Sequence, residues 1–190
     1  MLDIKDLEGK IINADCMDIL KQLPDKCIDL VLTDPPYGIT SCAWDKVIDN
    51  TAFWLEINRI IKDNGVCAIC GQEPFSSYLR LSNIDNYRYD YVWVKQKGTN
   101  FGSANKRPMK YHEFIHIFYK HQPIYNVQFQ DRQSKRVMQA QKNKYIGFRT
   151  YGESMPLTSK DTRIDFNKYD STKKRLGSVI TCPSVVSTSK

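Results

Sequence analysis

The chain has 190 residues, of which 41% are hydrophobic, 12% aromatic and 26% charged, the balance of one globular domain or of one domain plus part of a second. No apolar run approaches the roughly 18–20 residues that cross a bilayer, and the first residues (Asp3, Lys5, Asp6, Glu8) are too acidic and polar for a secretory signal. Six cysteines without such a signal read as reduced thiols, so a membrane span, a disulfide scaffold and a coiled coil are excluded and the expected compartment is cytoplasmic. The charge is uneven. Residues 1–94 carry 9 Lys/Arg against 15 Asp/Glu, and residues 95–190 carry 19 against 6. A basic half of this kind suits a polyanion such as nucleic acid.

In chain order, Lys10 to Ala14 is a short apolar run that reads as a strand, followed by Asp15. Asp18 to Leu23 reads as a short helix closed by Pro24, and Ile28 to Thr33 is a β-branched, apolar strand. That strand must stop at Asp34-Pro35-Pro36-Tyr37-Gly38, because two prolines forbid both helix and ladder. Asn50 is an N-cap candidate for a helix whose apolar face is Phe53, Trp54, Ile57, Ile60 and Ile61, with Asn64-Gly65 as its stop. Val66 to Cys70 is a buried-type strand, and Pro74 opens a helix continued by Phe75, Tyr78, Leu79 and Ser82. Arg88 to Lys95 and Glu113 to Lys120 are strands with no helix between them, which predicts antiparallel pairing. Beyond Lys120 the pattern weakens: part of Phe129 to Lys144 suits a helix, Asp161 to Ser171 a loop and Leu176 to Thr181 a strand. Alternating strands and helices predict an α/β fold with parallel strands, whose functional loops lie at the strands' carboxyl ends.

Asp34 to Tyr37 sits at such an end. It offers a carboxylate, a stiff backbone with free carbonyls and an aromatic ring within four residues. A carboxylate plus a carbonyl can accept both protons of an amino group, and the ring offers a face for a planar heterocycle.

These residues resemble the DNA amino-methyltransferases that bear the Asp-Pro-Pro-Tyr motif. Further resemblances are Asn13-Ala14-Asp15-Cys16 with Leu20, Trp44-Asp45, Gly71-Gln72-Glu73-Pro74-Phe75, Tyr91 to Lys95, Asn105 to Met109 and His112-Glu113. The likeness spans about residues 8–130, in the segment order of phage and bacterial enzymes whose catalytic block comes first. It implies a partial Rossmann-like methyltransferase sheet over residues 1–120, with parallel strands and an antiparallel terminal pair. A basic, irregular target-recognition region over residues 121–190 would follow. It implies S-adenosylmethionine as cofactor, double-stranded DNA as partner, and methyl transfer to a flipped-out adenine N6 in restriction-modification. Asp34, Pro35, Pro36 and Tyr37 would be catalytic, and Asp15, Cys16 and Asp34 would line the cofactor site. The Tyr/Lys/Arg mixture around the loop Lys95 to Lys110 suggests DNA contacts from Lys95, Lys97, Asn105, Lys106, Arg107 and Lys110. Cytosine N4 is the alternative target; RNA or a protein amide is a further one.

The family's glycine-rich cofactor loop has no counterpart. Glycines stand at 9, 38, 65, 71, 98, 102, 147, 152 and 177, and none forms Gly-x-Gly. The expectation is therefore a chain lacking the cofactor half. A missing segment or a partner chain would supply strands between the Lys10–Ala14 run and Ile28–Thr33, and the alternative is a catalytically incomplete DNA-binding remnant.

Two patterns point elsewhere and fail on geometry. His112-Glu113-Phe114-Ile115-His116 has zinc-peptidase spacing, but in a strand those histidines stand some 13 Å apart, too far to share a metal. Cys67-Ala68-Ile69-Cys70 has redox spacing inside an apolar strand, where packed thiols are expected. No metal site is expected.

Overall fold

The structure is a computed structural model that describes residues 3–131 and 173–181. The chain divides into two compact units, one made of Met1–Tyr125 and Gly177–Lys190, the other of Asn126–Leu176. The first holds helices α1 (Ile4–Leu7), α2 (Cys16–Leu20), α3 (Asn50–Ile60) and α4 (Phe75–Ser82). Its strands are β1 (Ile28–Thr33), β2 (Ile61–Gly71), β3 (Tyr87–Thr99) and β4 (Lys110–Phe118), with β7 (Val179–Thr181). In the second, β5 (Phe129–Asp131) pairs antiparallel with β6 (Lys173–Arg175).

The sheet order is β1-β2-β4-β3-β7. β1 runs parallel to β2, β4 is antiparallel to both β2 and β3, and β7 is parallel to β3. The parallel β1–β2 pair with the antiparallel β3–β4 hairpin is the α/β architecture expected. One sheet face carries Val31, Cys67 and Phe118, which are register neighbours. Onto it pack Phe53, Trp54, Ile57 and Ile60 of α3 and Phe75 and Leu79 of α4. The rings of Trp54 and Phe118 lie 4.8 Å apart at the centre of this core. On the opposite face, Leu30 and Leu32 remain 55% and 66% exposed, and β1 has a strand neighbour on one side only among the described residues.

Four local expectations are corrected. Lys10–Ala14 forms no strand: no described strand flanks it to take its ladder hydrogen bonds, and Ile11 is fully exposed. α2 begins earlier than expected because the Asp15 carboxylate accepts from Met17 N at 2.8 Å and caps it. α3 is capped by Asp49, not Asn50; one carboxylate oxygen accepts from both Thr51 N and Ala52 N. α3 stops at Ile60, because Ile61 is already extended (ψ 139°) and starts β2. Asn64-Gly65 thus lies in a bulge of β2, where a Cβ on Gly65 would come within 3.0 Å of the Asp29 carbonyl. The helix expected after Pro74 is present as α4, with Phe75, Ser76 and Leu79 buried and Tyr78 exposed. The Leu176–Thr181 strand is present over Val179–Thr181, and Phe129 opens a short strand. The remainder of the Phe129–Lys144 helix and the Asp161–Ser171 loop lie outside the described residues, apart from Asp131 and its neighbours in β5.

Candidate active site

Because β1 and β2 are parallel, Asp34 and Gly71 leave the sheet at the same end. β4 is antiparallel to β2, so Lys110 enters there as well, and its Nζ donates to Gln72 Oε1 at 3.0 Å. Three segments far apart in sequence thereby converge on Asp34–Tyr37.

Asp34 is exposed, with Pro35 and Pro36 half-buried behind it. The Tyr37 phenol donates to Asp34 Oδ1 at 2.5 Å. Its ring rests on Phe75, with centroids 5.1 Å apart and planes tilted by 31°. Burial, and then the Asp34 bond, push the Tyr37 phenol well above the ordinary tyrosine range. Cys70 is raised as well, by burial first and then by Asp34 and Glu113. Phe75, Cys70 and Glu113 also belong to the neighbourhood of the motif. Phe75 was legible only as part of the Gly71–Phe75 corner, and nothing in the sequence marked its contact with Tyr37.

The motif's exit is held by Asp45, whose carboxylate accepts from Gly38 N, Ile39 N and Thr40 N at 2.8, 2.9 and 2.6 Å. Hydrogen bonds from Thr40 and its neighbours lower its pKa to about 2, against the opposing effect of burial.

The expected DNA contacts divide into two sets. Lys95 is drawn inward to an ion pair with Glu113 and lies over the Trp93 ring at 5.0 Å. Lys110 is held on Gln72, and burial lowers its pKa. Lys97, Asn105, Lys106 and Arg107 are exposed. Of the expected cofactor residues, Asp15 caps α2 and Cys16 is exposed at its first position. No hydrogen bond or ion pair joins either to Asp34 among the described residues.

Beside the motif, the described residues enclose a hollow of only about 10 Å³, lined by Pro35, Ile48, Asn50, Phe53, Ile69, Phe75 and Leu79. A larger cavity of about 290 Å³ lies at the other end of the sheet, between Lys26, Lys62, Asn83 and Lys120, away from the motif. His112 and His116 both lie on β4, and no cluster of three metal-ligating side chains exists among the described residues. His116 is buried between Asp90 (Nδ1 to Oδ1, 2.5 Å) and Ser76 (Nε2 to Oγ, 2.8 Å). Burial raises the Cys67 thiol to about 12, as suits a packed, inert cysteine.

A family model described as DNA methylase matches residues 28–177. The chain belongs to that family. The DNA methylase match runs from the first residue of β1 across the motif, the Gly71–Phe75 corner and the β3–β4 hairpin. The family covers both N6 and N4 amino-methylation. Among curated relatives, the type II methyltransferase M.BamHI of Bacillus amyloliquefaciens is 30% identical over 101 residues, 47% of this chain and 24% of that protein. M.HinfI of Haemophilus influenzae is 29% identical over 129 residues, 54% of this chain and 36% of that protein. These matches cover 24% and 36% of the two relatives, so the chain spans less than half their length. Solved structures with a similar fold include the PvuII cytosine-N4-specific DNA methyltransferase (TM-score 0.47, 16% identity, covering 60% of this chain and 50% of that one). Another is M1.HpyAVI (TM-score 0.46, 20% identity, 62% and 59%).

Proposed function

We propose that this chain carries the target-base half of an S-adenosylmethionine-dependent DNA adenine-N6 methyltransferase. The observation that supports this best is the exposed Asp34 carboxylate at the carboxyl end of β1, beside a half-buried Tyr37 ring backed by Phe75. Asp34 and the Pro35 carbonyl accept the two protons of the flipped-out base's amino group, which returns lone-pair density to the nitrogen. Tyr37 stacks on the base, and contacts of this kind, worth about 1–3 kcal/mol, help offset the few kcal/mol of unstacking. The exposed Lys97, Asn105, Lys106 and Arg107, with the basic region 121–190, hold the duplex through its phosphates.

The residues present fit the cofactor on one side only. Asp34 and the ends of β1 and β2 offer one wall, and neither Asp15 nor Cys16 is hydrogen-bonded or ion-paired to Asp34 among the described residues. When bound, S-adenosylmethionine supplies the methyl group. The second reading, a chain completed by a further segment or partner, is supported by the edge of β1 that no strand covers among the described residues and by the exposed Leu30 and Leu32. A strand bearing a glycine-rich loop, paired on that edge, closes the pocket.

The test is expression in a host without DNA methylation of its own, with and without the glycine-loop segment of a related DNA methylase. Genomic nucleosides are then analysed. N6-methyladenine that needs both the segment and Asp34 supports the proposal. N4-methylcytosine instead assigns the alternative target, and no methylated base in either arm counts against the reading.

A further inference from the structure

We propose that Asp45 positions Tyr37, by fixing the backbone that leaves the motif so that the ring keeps its place against the target base. The proposal rests on the reading of Asp34–Tyr37 as a base-binding motif, and it assigns a role to a residue that touches no substrate.

Asp45 is 8% exposed, an uncommon position for a carboxylate without a cationic partner. No described Lys, Arg or His is paired with it. What compensates its charge is the loop itself: beside the Thr40 side chain, Oδ1 accepts from Gly38 N at 2.8 Å, and Oδ2 from Ile39 N at 2.9 Å and Thr40 N at 2.6 Å. Three successive N–H groups converge on one anion only when the chain curls around it. Gly38 provides the curl with φ +68°, and a Cβ there would also meet Val47 Cγ2 at 2.8 Å. The closing side of the loop is tied too, by Asp45 N to Cys42 O at 3.0 Å and Lys46 N to Trp44 O at 2.9 Å.

The consequence for Tyr37 follows from connectivity. Upstream, Thr33 is locked in the β1–β2 ladder opposite Ile69, and Pro35 and Pro36 fix their own φ angles. Downstream, Gly38 is the residue with the freest backbone, and it is the first one Asp45 grips. Tyr37 is thus held between two fixed points, which lets its ring stay on Phe75 and its phenol on Asp34. Without Asp45, the backbone beyond Tyr37 can rotate about Gly38 and carry the ring off Phe75.

The test is NMR on the 190-residue chain carrying ¹³Cζ-labelled tyrosine, comparing the wild type with Asp45→Ala. At about pH 10.5 an ordinary tyrosine is mostly ionised. Tyr37 should remain protonated in the wild type and become more than half ionised in Asp45→Ala, with loss of its contact to Phe75. Tyr87, packed on Phe118 away from the loop, is the internal control and should not change. A Tyr37 that stays protonated and on Phe75 in Asp45→Ala would overturn the proposal and leave Asp45 as a loop latch alone. If Asp45→Ala does not fold, Asp45→Asn is read the same way: it keeps one acceptor oxygen and should show a partial shift, and no shift would be equally fatal. The readout lies within the chain, so it can fail while the base-binding reading stands, and the reverse.

Discussion

Tyr37 and Asp34 are joined at 2.5 Å, phenol to carboxylate, so the acceptor assigned to the target amine already holds a donor. An arriving amino group must displace the phenol or share the carboxylate with it. Both are open to a carboxylate, which offers two oxygens and about four lone-pair sites.

Tyr37→Phe removes that competing donor and keeps the ring on Phe75. Binding of a duplex with an unpaired adenine should stay within about threefold of wild type. Tyr37→Ala removes the stacking surface, worth about 1–3 kcal/mol, and should weaken it by roughly 5- to 150-fold. Fluorescence anisotropy with labelled duplex separates the two, and equal losses in both variants would remove stacking as the role of the ring.

Asp45 should make stability depend on pH at the acid end. Its folded-state pKa, about 2, lies below the ordinary carboxylate value, so its contribution is fully present above about pH 4 and is lost as the pH falls through 2. Urea midpoints of the wild type and Asp45→Asn should differ near pH 6 and converge towards pH 2. A difference that grows on acidification would contradict this assignment.

The Asp90–His116–Ser76 chain should be structural. His116 is fully buried, and burial lowers its pKa despite the adjoining Asp90, so the neutral ring links the two partners. His116→Ala leaves the buried Ser76 hydroxyl without its partner and Asp90 with only Arg80 and Tyr87, and should cost about 2–4 kcal/mol in denaturant unfolding. Zinc should leave the wild-type unfolding midpoint unchanged, since His112 and His116 share no metal geometry.

Much of this was legible where one strong local signal dominated. The prolines at 35 and 36 end β1 whatever surrounds them, and the Phe53/Trp54/Ile57/Ile60 face of α3 follows from helical spacing. Lys10–Ala14 is apolar yet forms no strand, because apolar content alone does not make a strand without a partner for its ladder. Asn64-Gly65 carries a helix-stop signature, but the chain turns extended three residues before it, at Ile61, to pair with Ile28. Asp45 as a clamp was illegible for a different reason: its hydrogen bonds reach back five to seven residues to backbone N–H groups, which have no signature in side-chain chemistry.

Phosphate contacts predict a salt-dependent affinity. Each neutralised phosphate contributes roughly −0.9 to the slope of log affinity against log salt. Lys106→Ala and Arg107→Ala, both exposed positions, should each flatten the slope by about one unit, whereas Lys95→Ala should not, because Lys95 is paired with Glu113. Titrations at several salt concentrations check this, and a slope near zero for the wild type would remove the phosphate-binding role.

The central claim is that Asp34 and the Pro35 carbonyl read an exocyclic amino group. The direct measurement is the affinity of the 190-residue chain for three duplexes that differ only at one unpaired base: adenine, purine lacking the amino group, and cytosine. A hydrogen bond to a charged acceptor is worth about 1.5–3 kcal/mol, so adenine should bind at least about tenfold tighter than purine, and Asp34→Ala should abolish the difference. Equal affinity for adenine and purine in the wild type would contradict the account.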